Sequence, residues 1–314
     1  MVQVDLITGF LGAGKTTFLR RYVRYLVEQG HNVCILENDF GAVNVDAMLV
    51  QDLLGPRCDL ETISGGCDCD THQRRMRTKL IAMAMRGFDR VVVEPSGIFD
   101  VDEFFDVLRD DPLDRWYQVG NVIAIVDAML PETLSPQAEY LLASETANAG
   151  RVLLSRTRQA GQAQTAAAAA HLTRALEGCK CSRRFAPEEI LTKDWAGLTD
   201  ADLAAIAACG HKQASCEKLH FDEHEAFGSL CFLEKHLTLD GLQQAADRLF
   251  ADAACGHVLR VKGFAPDPQG KTGWLELNAT AAGRTLAPIP QGQDVLIVIG
   301  EGLDKAAIEA RLTQ

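Results

Sequence analysis

Near the start of the chain, GFLGAGKTT runs from Gly9 to Thr17 and fits the spacing G-x-x-x-x-G-K-[ST] with Gly9, Gly14, Lys15 and Thr16. Those residue types suit one chemistry, the cradling of phosphates. Glycines let the backbone curl so that successive N–H groups face phosphate oxygens, and the helix expected to follow adds its partial positive charge. Lys15 would contact the β- and γ-phosphates, Thr16 would hold Mg2+, and Gly12, Ala13 and Thr17 complete the lining. The pattern has false positives, but here it follows a strand-like run and opens a helix-like one, the context it requires. A nucleoside triphosphate is the expected ligand.

A second stretch, ISGGCDCDTHQRR, sets Cys67 and Cys69 against Asp68 and Asp70 behind a Gly-Gly pair. Taken alone it could be a metal site, a redox pair or an incidental thiol loop. Further cysteines recur in pairs or beside histidine: Cys179 with Cys181, Cys209 with His211, Cys216 with His220 and Cys255 with His257. An isolated free cysteine is commonly a small buried hydrophobe. Carboxylates complete the inventory. FDRVVVEPSG offers Glu94, suited to Mg2+, and Gly97, whose N–H could touch a γ-phosphate. ENDFGAVNVD offers Glu37, Asp39 and Asp46 in a segment read as a switch loop after the second strand, Asp39 or Asp46 orienting the attacking water.

The elements that must position these groups follow from periodicity. VQVDLIT, NVCILEN, DRVVVEP, NVIAIVDA and RVLLS are short, apolar and β-branched, as strands buried on both faces of a parallel sheet should be. Helices are expected near 15–29, 71–87, 101–109, 136–147 and 159–177, giving a doubly wound α/β domain. Beyond about residue 184 the rhythm loosens through a last helix and linker. It resumes with a strand GSLCFLE, a helix at 239–252, strands near 257–263, 273–280 and 294–299, and a final helix from Leu303. The expected division is a P-loop domain over 1–215, its tail at 185–215, and a smaller α+β domain over 216–314.

With 314 residues, 47% hydrophobic and 24% charged, the composition is that of a folded globular chain. A net charge of −12 argues against a nucleic-acid partner, which needs a concentrated basic surface. No run of 18 apolar residues suggests a membrane span, and the N-terminus lacks the pattern of a signal peptide. The expected location is the cytoplasm, where clustered thiols point to metal or redox chemistry more than to disulfides.

Taken in order, GFLGAGKTT, ENDFGAVNVD, GGCDCD and EPSG resemble the marks of the CobW-like P-loop GTPases, relatives of the nickel-inserting GTPases of urease and hydrogenase maturation. HVLRVKG, GWLELN and VLIVIGEGLD look like that family's second domain. The resemblance covers nearly the whole chain. It implies a nucleotide-hydrolysing metal chaperone or insertase using GTP, Mg2+ and a transition metal, Zn2+ or else Co2+ or Ni2+. A client metalloprotein would be the partner, and a nucleotide-dependent homodimer is left open. Carried over residue by residue, the metal ligands are Cys67, Cys69, Asp70 and Glu37.

Two departures bear on this. Asp70 stands where the family usually has a third cysteine, which makes the implied site harder and weaker. The family's guanine-reading segment resembles [NST]-K-x-D, but here it reads Ser155, Arg156, Thr157, Arg158. A guanidinium only donates, so Arg158 cannot accept from guanine, and losing that acceptor should cost a few kcal/mol of preference, on the order of an unpaired polar group. ATP therefore stays open beside GTP. A regulatory or assembly NTPase with a decayed metal site, and a small-molecule kinase, are the alternatives.

Overall fold

The computed structural model describes residues 1–10, 12–39, 49–64, 69–97, 101–214, 216–217, 227–270, 273–281, 283–289 and 292–312, with the side chains of 38, 39, 64 and 69–72 also set aside. These residues form two compact units.

The larger unit is built on seven parallel strands: β1 (Val2–Thr8), β2 (Val33–Asp39), β3 (Cys58–Ser64), β4 (Arg90–Glu94), β5 (Tyr117–Asp127), β6 (Arg151–Ser155) and β7 (Ile190–Leu191). Their order across the sheet is β3-β2-β4-β1-β5-β6-β7. Successive strand residues point to opposite faces, and here each face has its own core. Val4, Leu6, Cys34, Leu36, Val91 and Val93 enter one. Ile7, Val33, Ile35, Val92, Ile123 and Ile125 enter the other. That division is why these strands read as continuous apolar runs.

The helices α1 (Lys15–Glu28), α2 (Cys69–Ala84), α3 (Val101–Arg109), α4 (Leu113–Trp116), α5 (Pro136–Ala147), α6 (Thr157–Gly178) and α7 (Asp200–Ile206) complete the unit. On α1, Phe18, Leu19, Tyr22, Val23 and Leu26 recur at helical spacing and are buried. Truncating one such residue to Ala costs about 2–5 kcal/mol. The sheet reverses its strand order at β1, between β4 and β5, and ligands of such sheets sit beyond the strand ends at that crevice.

The smaller unit is a five-stranded antiparallel sheet in the order β11-β10-β9-β12-β8. Its strands are β8 (Gly228–Leu233), β9 (His257–Pro266), β10 (Trp274–Thr280), β11 (Gly283–Ile289) and β12 (Val295–Glu301), joined by α8 (Leu239–Ala251) and α9 (Lys305–Leu312). Leu242, Ala246 and Leu249 of α8 pack with Val261, Leu277 and Val298 of the sheet. The approach is close at Gly263, where a Cβ would lie 2.6 Å from Leu242 Cδ1.

Three strands depart from the sequence reading: β3, β7 and β11, each at a sheet edge, with β7 only two residues long. On β3, Asp59 and Glu61 pair with Arg86 instead of entering a core, and β11 is exposed through its first six residues. An edge strand with a wet face lacks the apolar run that marks a central one. Among the described residues no helix is long and apolar enough to cross a membrane.

Candidate nucleotide and metal site

β1 delivers the chain into the phosphate loop, and the glycines there have steric reasons. Gly9 has φ +139°, and a Cβ on it would lie 2.1 Å from the Ile125 carbonyl oxygen of β5. Gly12 and Gly14 have φ of 78° and 102°. Gly14 is the N-cap of α1 and accepts the Phe18 N–H at 3.1 Å. Ala13 is buried and donates its N–H to Phe10 O at 3.1 Å, while Thr17 is exposed. Lys15 Nζ donates to Gly9 O at 2.6 Å, so the buried ammonium folds back on its own loop. A phosphate there would exchange a neutral carbonyl acceptor for a charged one, the stronger partner.

β4 and β2 bring two buried carboxylates alongside. Thr16 Oγ1 donates to Glu94 Oε1 at 2.8 Å. Glu94 and Glu37, 7% and 2% exposed, are register partners on neighbouring parallel strands. The sequence reading put Glu37 in a loop; it lies inside β2, paired with Glu94 of β4 and with β3, whose pairing continues past it to Asp39. Asp39 ends β2 opposite Ser64. Gly97 is buried in the turn after β4, next to Ser96, whose buried Oγ has no hydrogen bond among the described residues.

On the other side of β1, Asp127 ends β5 and holds Arg156 Nη2 at 2.7 Å. The same Nη2 donates to Gly12 O at 2.6 Å, which ties the phosphate loop to the end of β6. Burial pushes the Asp127 carboxyl above its usual range, partly offset by Arg156 and by the Met129 N–H. Arg156 takes the left-handed conformation as the N-cap of α6, Ser155 is buried beside Gly14, and Arg158 is exposed in the first turn of α6. Trp195 packs on the far side of the loop: its ring would meet a Cβ on Gly14 at 3.4 Å and stands edge-on to Phe18 at 5.6 Å. The Arg21 guanidinium donates to the carbonyls of Trp195 and Leu198 and fixes that segment.

Asp127, Trp195 and Arg21 were not identified from sequence. Asp127 carried the signal that found Glu94, an acid closing an apolar strand, but its meaning depends on a partner far along the chain. Trp195 and Arg21 carried none.

Of the implied metal ligands, Glu37 is described. Cys67 and Asp46 lie outside the described residues. Cys69 and Asp70 open α2, but their side chains lie outside too. Among the described residues no group of three or more His, Cys, Asp or Glu is arranged to hold a metal ion. Cys34 and Cys58 are buried as hydrophobes are, and burial pushes the Cys34 and Cys209 thiols up to about 12 and Cys58 to about 11.

Thr16 and Glu94 are hard oxygen donors placed where a phosphate-bound Mg2+ belongs, so the residues present fit that ion.

The chain is 32% identical over 173 residues to the zinc chaperone YjiA of Escherichia coli, covering 52% of each protein. It is 30% identical over 131 residues to the zinc chaperone YeiR of the same organism, covering 41% of this chain and 39% of that one. Against the zinc-regulated GTPase metalloprotein activator 1 of Schizosaccharomyces pombe it is 30% identical over 132 residues, covering 40% and 32%. The chain thus spans about half the length of the curated relatives it matches, or less. The solved Zn(II)-bound YjiA GTPase aligns over 99% of this chain and 97% of that one, with 21% identity and a TM-score of 0.38. The model of the family described as CobW/HypB/UreG, nucleotide-binding domain, matches residues 3–182, more than half of the chain, and this protein therefore belongs to that family.

Proposed function

We propose that this chain is a GTP-hydrolysing metal chaperone that binds a transition metal, Zn2+ first, and releases it to a client protein according to its nucleotide state. The observation that carries the reading is the adjacency of Thr16, Glu94 and Glu37: a hydroxyl bonded to one buried carboxylate, with a second carboxylate in register beside it. Glu94 belongs to the nucleotide side and Glu37 to the implied transition-metal set with Cys67, Cys69 and Asp70. A change at one carboxylate is felt electrostatically at the other, since charges in a poorly solvated site interact strongly. Two relatives named as zinc chaperones and one named as a zinc-regulated GTPase support the metal and the nucleotide.

In this reading Lys15 leaves Gly9 O and takes the β/γ-phosphates, while the backbone N–H groups of the loop hold the remaining oxygens. Thr16 and Glu94 would hold Mg2+, which neutralises charge on the transferring phosphoryl group. Asp39 or Asp46 would orient the attacking water. Turnover is slow without metal or client. Residues 1–215 carry both ligands, 216–314 form the separate C-terminal domain, and the thiols require a reducing setting such as the cytoplasm. Nucleotide-dependent pairing of two copies is compatible with this scheme.

The test is zinc content and GTP hydrolysis measured on the full chain and on Cys67→Ser/Cys69→Ser and Glu37→Ala. Loss of bound zinc with retained GTP binding is expected in both variants. Unchanged zinc in both would contradict the metal assignment, and absence of hydrolysis in the parent chain the enzymatic one.

A further inference from the structure

We propose that Asp194 reads the nucleobase, accepting hydrogen bonds from the N1–H and exocyclic amino group of a guanine seated in a groove beside the phosphate loop. The inference rests on the nucleotide reading above and goes to the question that reading leaves open, how guanine is recognised when Arg158 offers only donors.

The groove is open to solvent, about 490 Å3 in volume, and Thr157, Arg158, Gly161, Gln162, Thr192 and Asp194 are among the residues that line it. It lies beyond the carboxyl ends of β6 and β7, where parallel sheets place their ligands. Its lining adjoins, along the chain, two residues that touch the phosphate loop. Arg156 bonds Gly12 O and Trp195 flanks Gly14, and the lining begins one residue after the first and one before the second.

Asp194 is suited to the task. It is half-buried, and Oδ1 accepts the Ala196 N–H at 3.0 Å, which holds the carboxylate in one orientation. A carboxylate has about four lone-pair sites, so the cap leaves capacity for two more donors. The neighbouring Lys193 is bonded to Asp202 at 2.6 Å, and among the described residues no cation pairs with Asp194. Its charge is therefore available to a ligand. Arg158 lines the same groove and can donate to guanine O6, a pairing that guanidinium groups make well. Adenine presents an acceptor at N1 and a donor amino group at C6, a mismatch with both residues.

The experiment is calorimetric titration of GDP, XDP and ADP, each with Mg2+, into the full chain and its Asp194→Asn variant. Asparagine still caps the Ala196 N–H, so the loop is preserved, and a matching melting curve checks this. Replacing the carboxylate should weaken GDP by about 10- to 100-fold, the range for a lost bond to a charged group. XDP, which carries a carbonyl in place of the amino group, should gain relative to GDP, and ADP should not move. A GDP to XDP ratio unchanged by the substitution overturns the proposal while leaving the nucleotide reading intact. Parent chain that binds ADP as tightly as GDP also overturns it. Parent chain that binds none of the three overturns the nucleotide reading, and this one with it.

Discussion

Two carboxylates close the strands on either side of β1, and they differ in what they hold. Glu94, at the end of β4, takes a neutral hydroxyl from Thr16. Asp127, at the end of β5, takes the guanidinium of Arg156, which in turn grips the carbonyl of Gly12. The first is bonded to the hydroxyl that is proposed to share Mg2+ with it. The second has its charge met within the protein, and the pair serves as a strut under the phosphate loop. The same residue class at the ends of the two strands that flank β1 thus meets a hydroxyl in one case and a guanidinium in the other, which suits the first to the proposed ligand role and the second to a scaffold.

The sharpest way to break that division is at Glu94. Glu94→Gln or Thr16→Ala should lower Mg2+-dependent GTP hydrolysis on the order of 100-fold, the scale for losing one electrostatic stabiliser of the transition state. Nucleotide binding without Mg2+ should survive, as equilibrium titration with EDTA would show. If the two residues serve one ion, the double variant should be little worse than either single one.

At Asp127 the expected effect is smaller and of another kind. Asp127→Ala leaves Arg156 with Gly12 O alone and should cost about 2 kcal/mol of stability in denaturant unfolding, a loss between those of exposed and fully buried pairs. Nucleotide affinity should fall modestly, and equally with or without Mg2+. A Mg2+-dependent loss would make Asp127 a second ligand and erase the contrast.

The smallest effect is one of pH. The Asp127 carboxyl titrates above its ordinary value in the folded chain because burial disfavours its charge. Between the ordinary and the raised value the folded state holds a proton that the unfolded state has released, so this group contributes stability that is lost as pH rises through the folded value. Acidification from neutrality toward the ordinary carboxylate range should therefore stabilise the parent chain relative to Asp127→Asn. Parallel melting-temperature profiles would contradict this.

The contrast also shows what a sequence can disclose. The phosphate loop was legible because its main constraints are local: Gly9, Gly12 and Gly14 take positive φ, and Gly14 caps α1 in a left-handed conformation. Glu94 was legible as an acid ending an apolar strand. Asp127 ended one too, but its role depends on Arg156, reached only through the parallel crossover that sets β6 beside β5. β3, β7 and β11 were missed for the related reason that an edge strand has half the burial of a central one. Trp195 and Asp194 belong to a short stretch around β7 whose place beside Gly14 is a product of topology alone. Glu37 was assigned a ligand role by resemblance, and its register against Glu94 is a fact of the sheet.

That register is where the central claim can be tested most directly. Zinc affinity should be measured by competition with a chromophoric chelator for the full chain in three forms: nucleotide-free, with GDP and Mg2+, and with a non-hydrolysable GTP analogue and Mg2+. Coupling through the neighbouring carboxylates predicts affinities that differ at least about fivefold between the diphosphate and triphosphate forms, the lower end of ordinary coupling between two sites, with the reciprocal change in nucleotide affinity when zinc is bound. Three equal zinc affinities would contradict it.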